Sequence, residues 1–270
     1  MVPLTSNPRP VEDRAPRATS SPDGEALPRG EEKVALVRAM FDRIAPRYDL
    51  MNRLISLGLD RAWRKRTVRM LELAPPSDVV DLACGTGDLC RELTAAGHRA
   101  VGVDFAANML AAAKASPVPL VRADAVALPL ATGAADGLVC GFALRNFADL
   151  ASVLAEVGRV VRPGGRIALL EVDEPRSRFL ALGHAVWFRW VVPRLGALFS
   201  DGAAYRYLPR SVAYLPPRTE LAGLIERAGF TGARHHPLHG GIAQIFVATR
   251  VGGRPLVARS RPPAPTGNPA

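Results

Sequence analysis

Residues 79–88, VVDLACGTGD, decide the fold. VVDLA at 79–83 is a short apolar run opening on CGTG, the pattern of a buried parallel strand that leaves into a tight glycine turn. Gly85 and Gly87 let the backbone bend sharply and let a ligand approach the next helix N-terminus with no Cβ in the way. That helix is predicted from Asp88 to Ala96 with Gly97 as its stop, and AVGVD at 100–104 is the next strand. It ends on Asp104, 17 residues beyond Gly87.

Outward from this unit the alternation continues. Helix is predicted at about 107–115, strands at 120–123 and 137–141, and a helix at 150–161. Pro163-Gly164-Gly165 then turns into the strand IALLEV at 167–172. Repeated β-α-β units with right-handed crossovers give a doubly wound, mostly parallel, Rossmann-like α/β sheet. Before it, Val34, Val37, Phe41 and Ile44 recur at helical spacing and announce an N-terminal helical region. After it, a helical insertion of about 177–216 is placed late enough to cap the ligand-binding edge of the sheet. A helix at 218–229 and strands at 233–236 and 242–249 close the domain. Residues 1–30 and 251–270, rich in Pro, Gly, Ser and Arg, read as disordered tails around a single 31–250 domain.

Glycines at 85 and 87 with an acid at 104 suit either a dinucleotide or S-adenosyl-L-methionine (SAM), because a carboxylate at the end of the second strand accepts hydrogen bonds from ribose hydroxyls. Two residues separate these ligands. Cys90 stands where the dinucleotide fingerprint wants its third glycine. Asp81 puts a carboxylate before the turn, a poor match to pyrophosphate and a good one to the cationic amino group of SAM. Asp124 and Ala125, after the third strand, offer a carboxylate and a backbone N–H to an adenine ring.

DLACGTGD, VGVDFAANML, ADAVALP and RVVRPGGRIALLEV resemble, in order and spacing, the class I SAM-dependent methyltransferases. YDLMNRLISLGLDRAW at 48–63, GFALRNF at 141–147, RVVRPGGRIALLEVDEP at 159–175 and YRYLPRSVAYLP at 205–216 narrow the resemblance to the UbiE/MenG family, C-methyltransferases of ubiquinone and menaquinone biosynthesis. The resemblance spans roughly residues 36–230. It implies cofactor contacts at Thr86, Asp104, Asp124 and Ala125 with the turn glycines Gly85 and Gly87 beside them; Asp81 and Gly141 are further candidates to contact the cofactor. The chain departs from the family pattern at Asp60, Gly141, Asp124, near Asp173 and in the closing segment GGIAQIFVATR.

The function implied is C-methylation of a prenylated quinol, demethylmenaquinol to menaquinol. A soluble secondary metabolite as acceptor, or an NAD(P)-dependent oxidoreductase, are the alternatives. Methyl transfer to a ring carbon is an in-line displacement helped by orientation and desolvation, and the site must stabilise a phenolate. Arg145 and Asn146, just beyond the fourth strand, are the candidate donors, with a structural arginine as the plainer alternative for Arg145. Asp60, Asp49 or a water relayed through Arg145 are candidates to take the proton. Tyr205 and Tyr207 are candidates to line the acceptor pocket.

Composition narrows the partners. The chain has 270 residues, 48% hydrophobic, with a formal charge of +10 carried almost wholly by arginine. Four arginines balance four acids in residues 1–30, while the C-terminal tail adds three arginines and no acid. Three cysteines, Cys84, Cys90 and Cys140, give no CxxC pair and fit a reducing, cytoplasmic setting. His235, His236 and His239 lack a carboxylate or cysteine at ligand spacing, so no metal is expected. The most apolar stretch, Phe179 to Phe199, is interrupted by His184, Arg189, Pro193 and Arg194 and falls short of a spanning helix. With Trp187, Phe188 and Trp190 it has the character of an interfacial element facing an anionic membrane, or of a core-facing cap helix. No aromatic-interleaved basic segment points to nucleic acid, and a homodimer is allowed.

Overall fold

A computed structural model describes residues 28–113, 116–173, 175 and 211–252. Both expected tails lie outside these residues except at their inner ends, as do most of the expected cap and the interfacial stretch 179–199, together with Tyr205 and Tyr207.

Seven strands form one sheet: β1 (Asp78–Leu82), β2 (Arg99–Asp104), β3 (Leu120–Arg122), β4 (Ala135–Gly141), β5 (Val161–Val172), β6 (Phe230–Leu238) and β7 (Ala243–Arg250), in the spatial order β3-β2-β1-β4-β5-β7-β6. The first five are parallel; β7 runs antiparallel between β5 and β6. The order reverses between β1 and β4, and the crevice at the carboxyl ends of those two strands is where such sheets bind ligands.

Alternation along the strands feeds two cores. Val80, Leu82, Leu138, Cys140, Ile167, Leu169, Phe246 and Ala248 face α6 (Leu150–Val160) and α7 (Arg218–Arg227) through Val153, Leu154, Val157, Leu221 and Ile225. Val79, Val139, Ala168, Leu170, Ile245 and Val247 face α3 (Leu59–Met70) and α4 (Asp88–Ala95) through Trp63, Val68, Leu89 and Leu93. A strand buried on both faces has no polar side to show, which is why β1 and β4 read as continuous apolar runs. Each Leu or Ile fully removed from water here contributes about 1.5–3 kcal/mol.

The N-terminal helices are not part of this sandwich. α1 (Gly30–Ile44) lays Met40 and Ile44 on Met109 of α5 (Ala107–Ala112), so it crosses the carboxyl edge of the sheet. Its buried face is Lys33, Val37, Met40 and Ile44 rather than the expected Val34-Val37-Phe41-Ile44 stripe. The helix is turned because Lys33 extends its stem inward, donates to the Phe147 carbonyl at 2.7 Å and lies 3.8 Å over the Tyr214 ring. Burial lowers the Lys33 pKa to about 8.

Three boundaries differ from expectation. β5 begins at Val161, and Arg162–Gly165 bulge out of it because pairing with β4 jumps from Val161 to Arg166. The helix starting at Ala107 ends at Ala112. Of the two closing strands, β6 runs from Phe230 to Leu238 and is longer than predicted, while β7 keeps the predicted length one residue further on; Arg250, at the end of β7, donates to the carbonyls of Gly158 (2.6 Å) and Gly229 (2.7 Å), tying α6 and the end of α7 to the sheet.

Candidate active site

The turn after β1 is built from three successive demands on the backbone. Ala83, Gly85 and Gly87 all take positive φ (54°, 55° and 83°), and Gly87 is the N-cap of α4. Asp104 fixes the turn in place: its Oδ2 accepts from the Gly85 N–H and its Oδ1 from the Ala106 N–H, both at 2.8 Å. Burial raises the Asp104 pKa against the pull of those N–H groups. The acid and the glycines predicted as a unit are thus one structural unit, and each carboxylate oxygen can accept a further hydrogen bond.

Asp81 lies beneath the turn and is 1% exposed. Its Oδ2 accepts from the Cys90 thiol at 3.1 Å, while Oδ1 is buried without a hydrogen-bond partner. Desolvation pushes its pKa up to about 7. A buried carboxylate oxygen lacking a donor suits a cationic ligand group and gives a pyrophosphate nothing. A Cβ at Gly85 would meet only Tyr48, at 3.9 Å, so the turn itself leaves room. These residues fit SAM. The missing third glycine is also explained: the close helix–strand packing it would allow is supplied from the strand side, where a Cβ on Gly102 would lie 2.7–3.0 Å from Leu120 and the Cys84 and Cys90 sulfurs.

Further along the edge, Asp124 is exposed and its Oδ1 accepts from the Val126 N–H at 3.1 Å, with Ala125 half-buried beside it. Thr86 is buried, and its hydroxyl donates to Asp49 of α2 (Tyr48–Ile55). Gly141 ends β4, where a Cβ would approach Leu89 of α4 to 2.9 Å.

Beyond β4 the chain turns through Phe142 at φ 59°, a costly angle for a phenylalanine. Arg145 Nη1 (2.9 Å) and Asn146 Nδ2 (3.4 Å) both donate to the Phe142 carbonyl. Arg145 is 6% exposed. It also pairs with Glu171 of β5 and donates through Nε to the Ser211 hydroxyl at 3.0 Å. Arg145 therefore has structural partners, chiefly a strand carboxylate rather than the helix end that a structural arginine would be expected to meet.

Asp60 differs from expectation. It is 3% exposed, paired with Arg64 one helical turn on, and accepts from Ser56 at 2.9 Å. A carboxylate held by a guanidinium and a hydroxyl inside a helix pair is poorly placed to collect a proton from a ligand, and this corrects its reading as the proton acceptor. Asp49, by contrast, meets the glycine turn directly.

Sequence reasoning missed Arg64, Tyr48 and Glu171. Arg64 joins Asp60 to Asp88 (3.3 Å) and lies 5.5 Å over the Phe142 ring, linking the helical layer to both crevice loops. The i,i+4 spacing of Asp60 and Arg64 was its only local signal. Tyr48 is placed against Gly85, and burial raises its phenol pKa. The three histidines lie in the closing strands and the turn between them: His235 packs against Phe246 with the ring centroids 5.1 Å apart and the rings tilted, His239 accepts from the Trp63 indole at 2.7 Å, and His236 has its pKa lowered by burial.

Comparison with known proteins completes the picture. The model of the ubiE/COQ5 methyltransferase family matches residues 29–250. A ubiquinone/menaquinone biosynthesis C-methyltransferase UbiE of Syntrophotalea carbinolica is 45% identical over 221 residues, covering 79% of this chain and 93% of that protein. A demethylmenaquinone methyltransferase of Thermus thermophilus is 44% identical over 220 residues, 78% of this chain and 100% of that protein. Among solved structures, a SAM-dependent methyltransferase of Thermotoga maritima described as a possible histamine N-methyltransferase gives a TM-score of 0.56 at 19% identity, covering 79% of this chain and 99% of that one. One from Methanococcus maripaludis, described as putative, gives 0.55 at 12% identity over 77% and 93%. At such identities these two speak for the fold alone.

Proposed function

The chain belongs to the ubiE/COQ5 methyltransferase family, and we propose that it methylates a ring carbon of a prenylated quinol, converting demethylmenaquinol to menaquinol. It is a SAM-dependent methyltransferase with the class I fold. The observation that carries the choice of acceptor is the 44% identity to a demethylmenaquinone methyltransferase along that protein's whole length.

SAM supplies an activated methyl group on a sulfonium; the rest of the work is positioning. In our reading Asp81 faces the amino group, Asp104 the ribose, and Asp124 with Ala125 the adenine, while Gly85, Thr86, Gly87 and Gly141 shape the cradle. The acceptor ring lies between Tyr48 and the 142–146 loop. There Arg145 and Asn146 hold the phenolate oxygen, and Asp49, with Thr86 already on one oxygen, takes the phenolic proton. A tail-less secondary metabolite as acceptor rested on Asp60 and the unusual closing strand. Asp60 serves Arg64, and β7 is a core strand with Phe246 fully buried, so both departures have internal causes.

The test is incubation with labelled SAM and a lipid extract containing reduced demethylmenaquinone, followed by identification of the product. A labelled menaquinol is expected, and no labelled quinol from an extract that a known relative methylates would overturn the reading.

A pH dependence follows from Asp81. Its folded pKa, about 7, stands above the ordinary carboxylate value, so the unliganded protein holds a proton there that the unfolded chain releases above about pH 4. This contribution to stability is fully present below about pH 4 and is lost as pH rises through about 7. Binding a cationic amino group needs the ionised form, so SAM affinity moves the other way and rises about fourfold between pH 6 and 8, the gain from Asp81 being partly offset as the ligand's α-amino group, with a pKa of about 7.7–8.0, loses its proton. Titration calorimetry at both pH values checks this, and Asp81→Asn is expected to flatten the profile.

A further inference from the structure

We infer that the outer face of α2 and α3 docks on an anionic phospholipid bilayer; the inference rests on the lipid-soluble acceptor proposed above. Between residues 45 and 70 every exposed charged side chain is a cation: Arg47, Arg53, Arg61, Lys65 and Arg69. The two acids of this stretch turn inward, Asp49 to Thr86 and Asp60 to Arg64. None of the five cations is in an ion pair among the described residues, whereas Arg99, Arg162 and Arg166 are matched, to Asp78 (2.7 Å), Asp136 (2.6 Å) and Glu72 (2.7 Å).

Apolar bulk sits among these cations. Leu50 is 48% exposed and Leu57 70%, two of the four large exposed hydrophobics among the described residues. Leu57 is held outward in the α2–α3 turn at φ 54°, a region leucine rarely adopts, with the Gly58 N–H bonded to the Arg53 carbonyl at 2.8 Å. Cations around protruding leucines match an anionic interface with an apolar interior, while a nucleic-acid backbone has no use for the leucines.

The opposite side of α2 explains why this face serves the reaction. Tyr48 and Asp49 reach the glycine turn, and Met51 is 1% exposed. A helix about 10 Å across separates the docked surface from the site. A quinol ring can reach the crevice while its prenyl tail stays in the bilayer.

The test is co-sedimentation of the full chain with vesicles of phosphatidylcholine alone or with phosphatidylglycerol, beside Arg53→Gln/Arg61→Gln and Leu50→Ser/Leu57→Ser. Binding is expected only with phosphatidylglycerol and should weaken with salt. Each arginine at such a surface is worth about fivefold in partitioning, so the arginine variant should bind about 30-fold less, and the leucine variant about tenfold less. SAM binding and turnover of a tail-less quinol should be unchanged in both. Wild-type affinity in the variants, equal binding to both vesicle types, or loss of RNA binding in place of vesicle binding would overturn the inference. Failure of the acceptor reading would show separately, as wild-type enzyme that methylates neither tailed nor tail-less quinol.

Discussion

Asp104→Ala is expected to lower affinity for SAM by more than about 100-fold. The carboxylate holds the Gly85 and Ala106 N–H groups at 2.8 Å and, in the proposed complex, the ribose hydroxyls with its remaining lone pairs. A hydrogen bond to a charged group is worth about 1.5–3 kcal/mol, so losing two on the ligand alone corresponds to that factor or more. The turn loses its tie as well, leaving two N–H groups without their acceptor. Asparagine is no remedy: with one donor pointing at either N–H it sets donor against donor, so Asp104→Asn should resemble the alanine variant more than the wild type. Calorimetric titration with S-adenosylhomocysteine measures this, with thermal unfolding run alongside. An Asp104→Asn protein that binds within about threefold of wild type would show that neither the turn nor the ligand depends on the carboxylate.

The parts of this site that were legible in the sequence are those where backbone geometry writes itself into residue type. Gly85 and Gly87 are needed for positive φ, Asp104 must follow a strand of fixed length, and buried parallel strands read as VVDLA and AVGVD, so the cradle and its sheet followed from local pattern. Residues whose partner is distant in sequence were not legible. Glu171 is the last residue but one of the apolar strand IALLEV and looks like its polar end until β5 is placed beside the 142–146 loop, 26 residues earlier, where it meets Arg145. Asp60 reads from sequence as an acid able to take a proton, whereas Arg64 four residues on pairs with it inside the same helix. The phase of α1 was misjudged for a similar reason: Lys33 counts as polar by type but buries its stem to reach the Phe147 carbonyl, 114 residues away.

The Arg145–Glu171 pair separates positioning from chemistry. Glu171 is fully buried and accepts from Arg145 through both side chain and backbone, and Val172 donates its N–H to Oε1 at 2.8 Å. Truncating Arg145 leaves that carboxylate without its countercharge, a loss of about 3–5 kcal/mol, which is a large part of the ~5–15 kcal/mol that holds a domain together. Arg145→Ala should therefore unfold at markedly lower denaturant and also be inactive, and the activity loss by itself says nothing about catalysis. Replacing both partners with apolar groups, Arg145→Met with Glu171→Leu, removes the buried charges together and should restore much of the stability. If Arg145 holds the phenolate, this double variant stays folded and binds S-adenosylhomocysteine as wild type does, yet turns over quinol at least about 100-fold more slowly. Recovery of turnover along with stability would make the arginine a strut for the Phe142 loop, and the oxyanion would then have to be held by Asn146 without it.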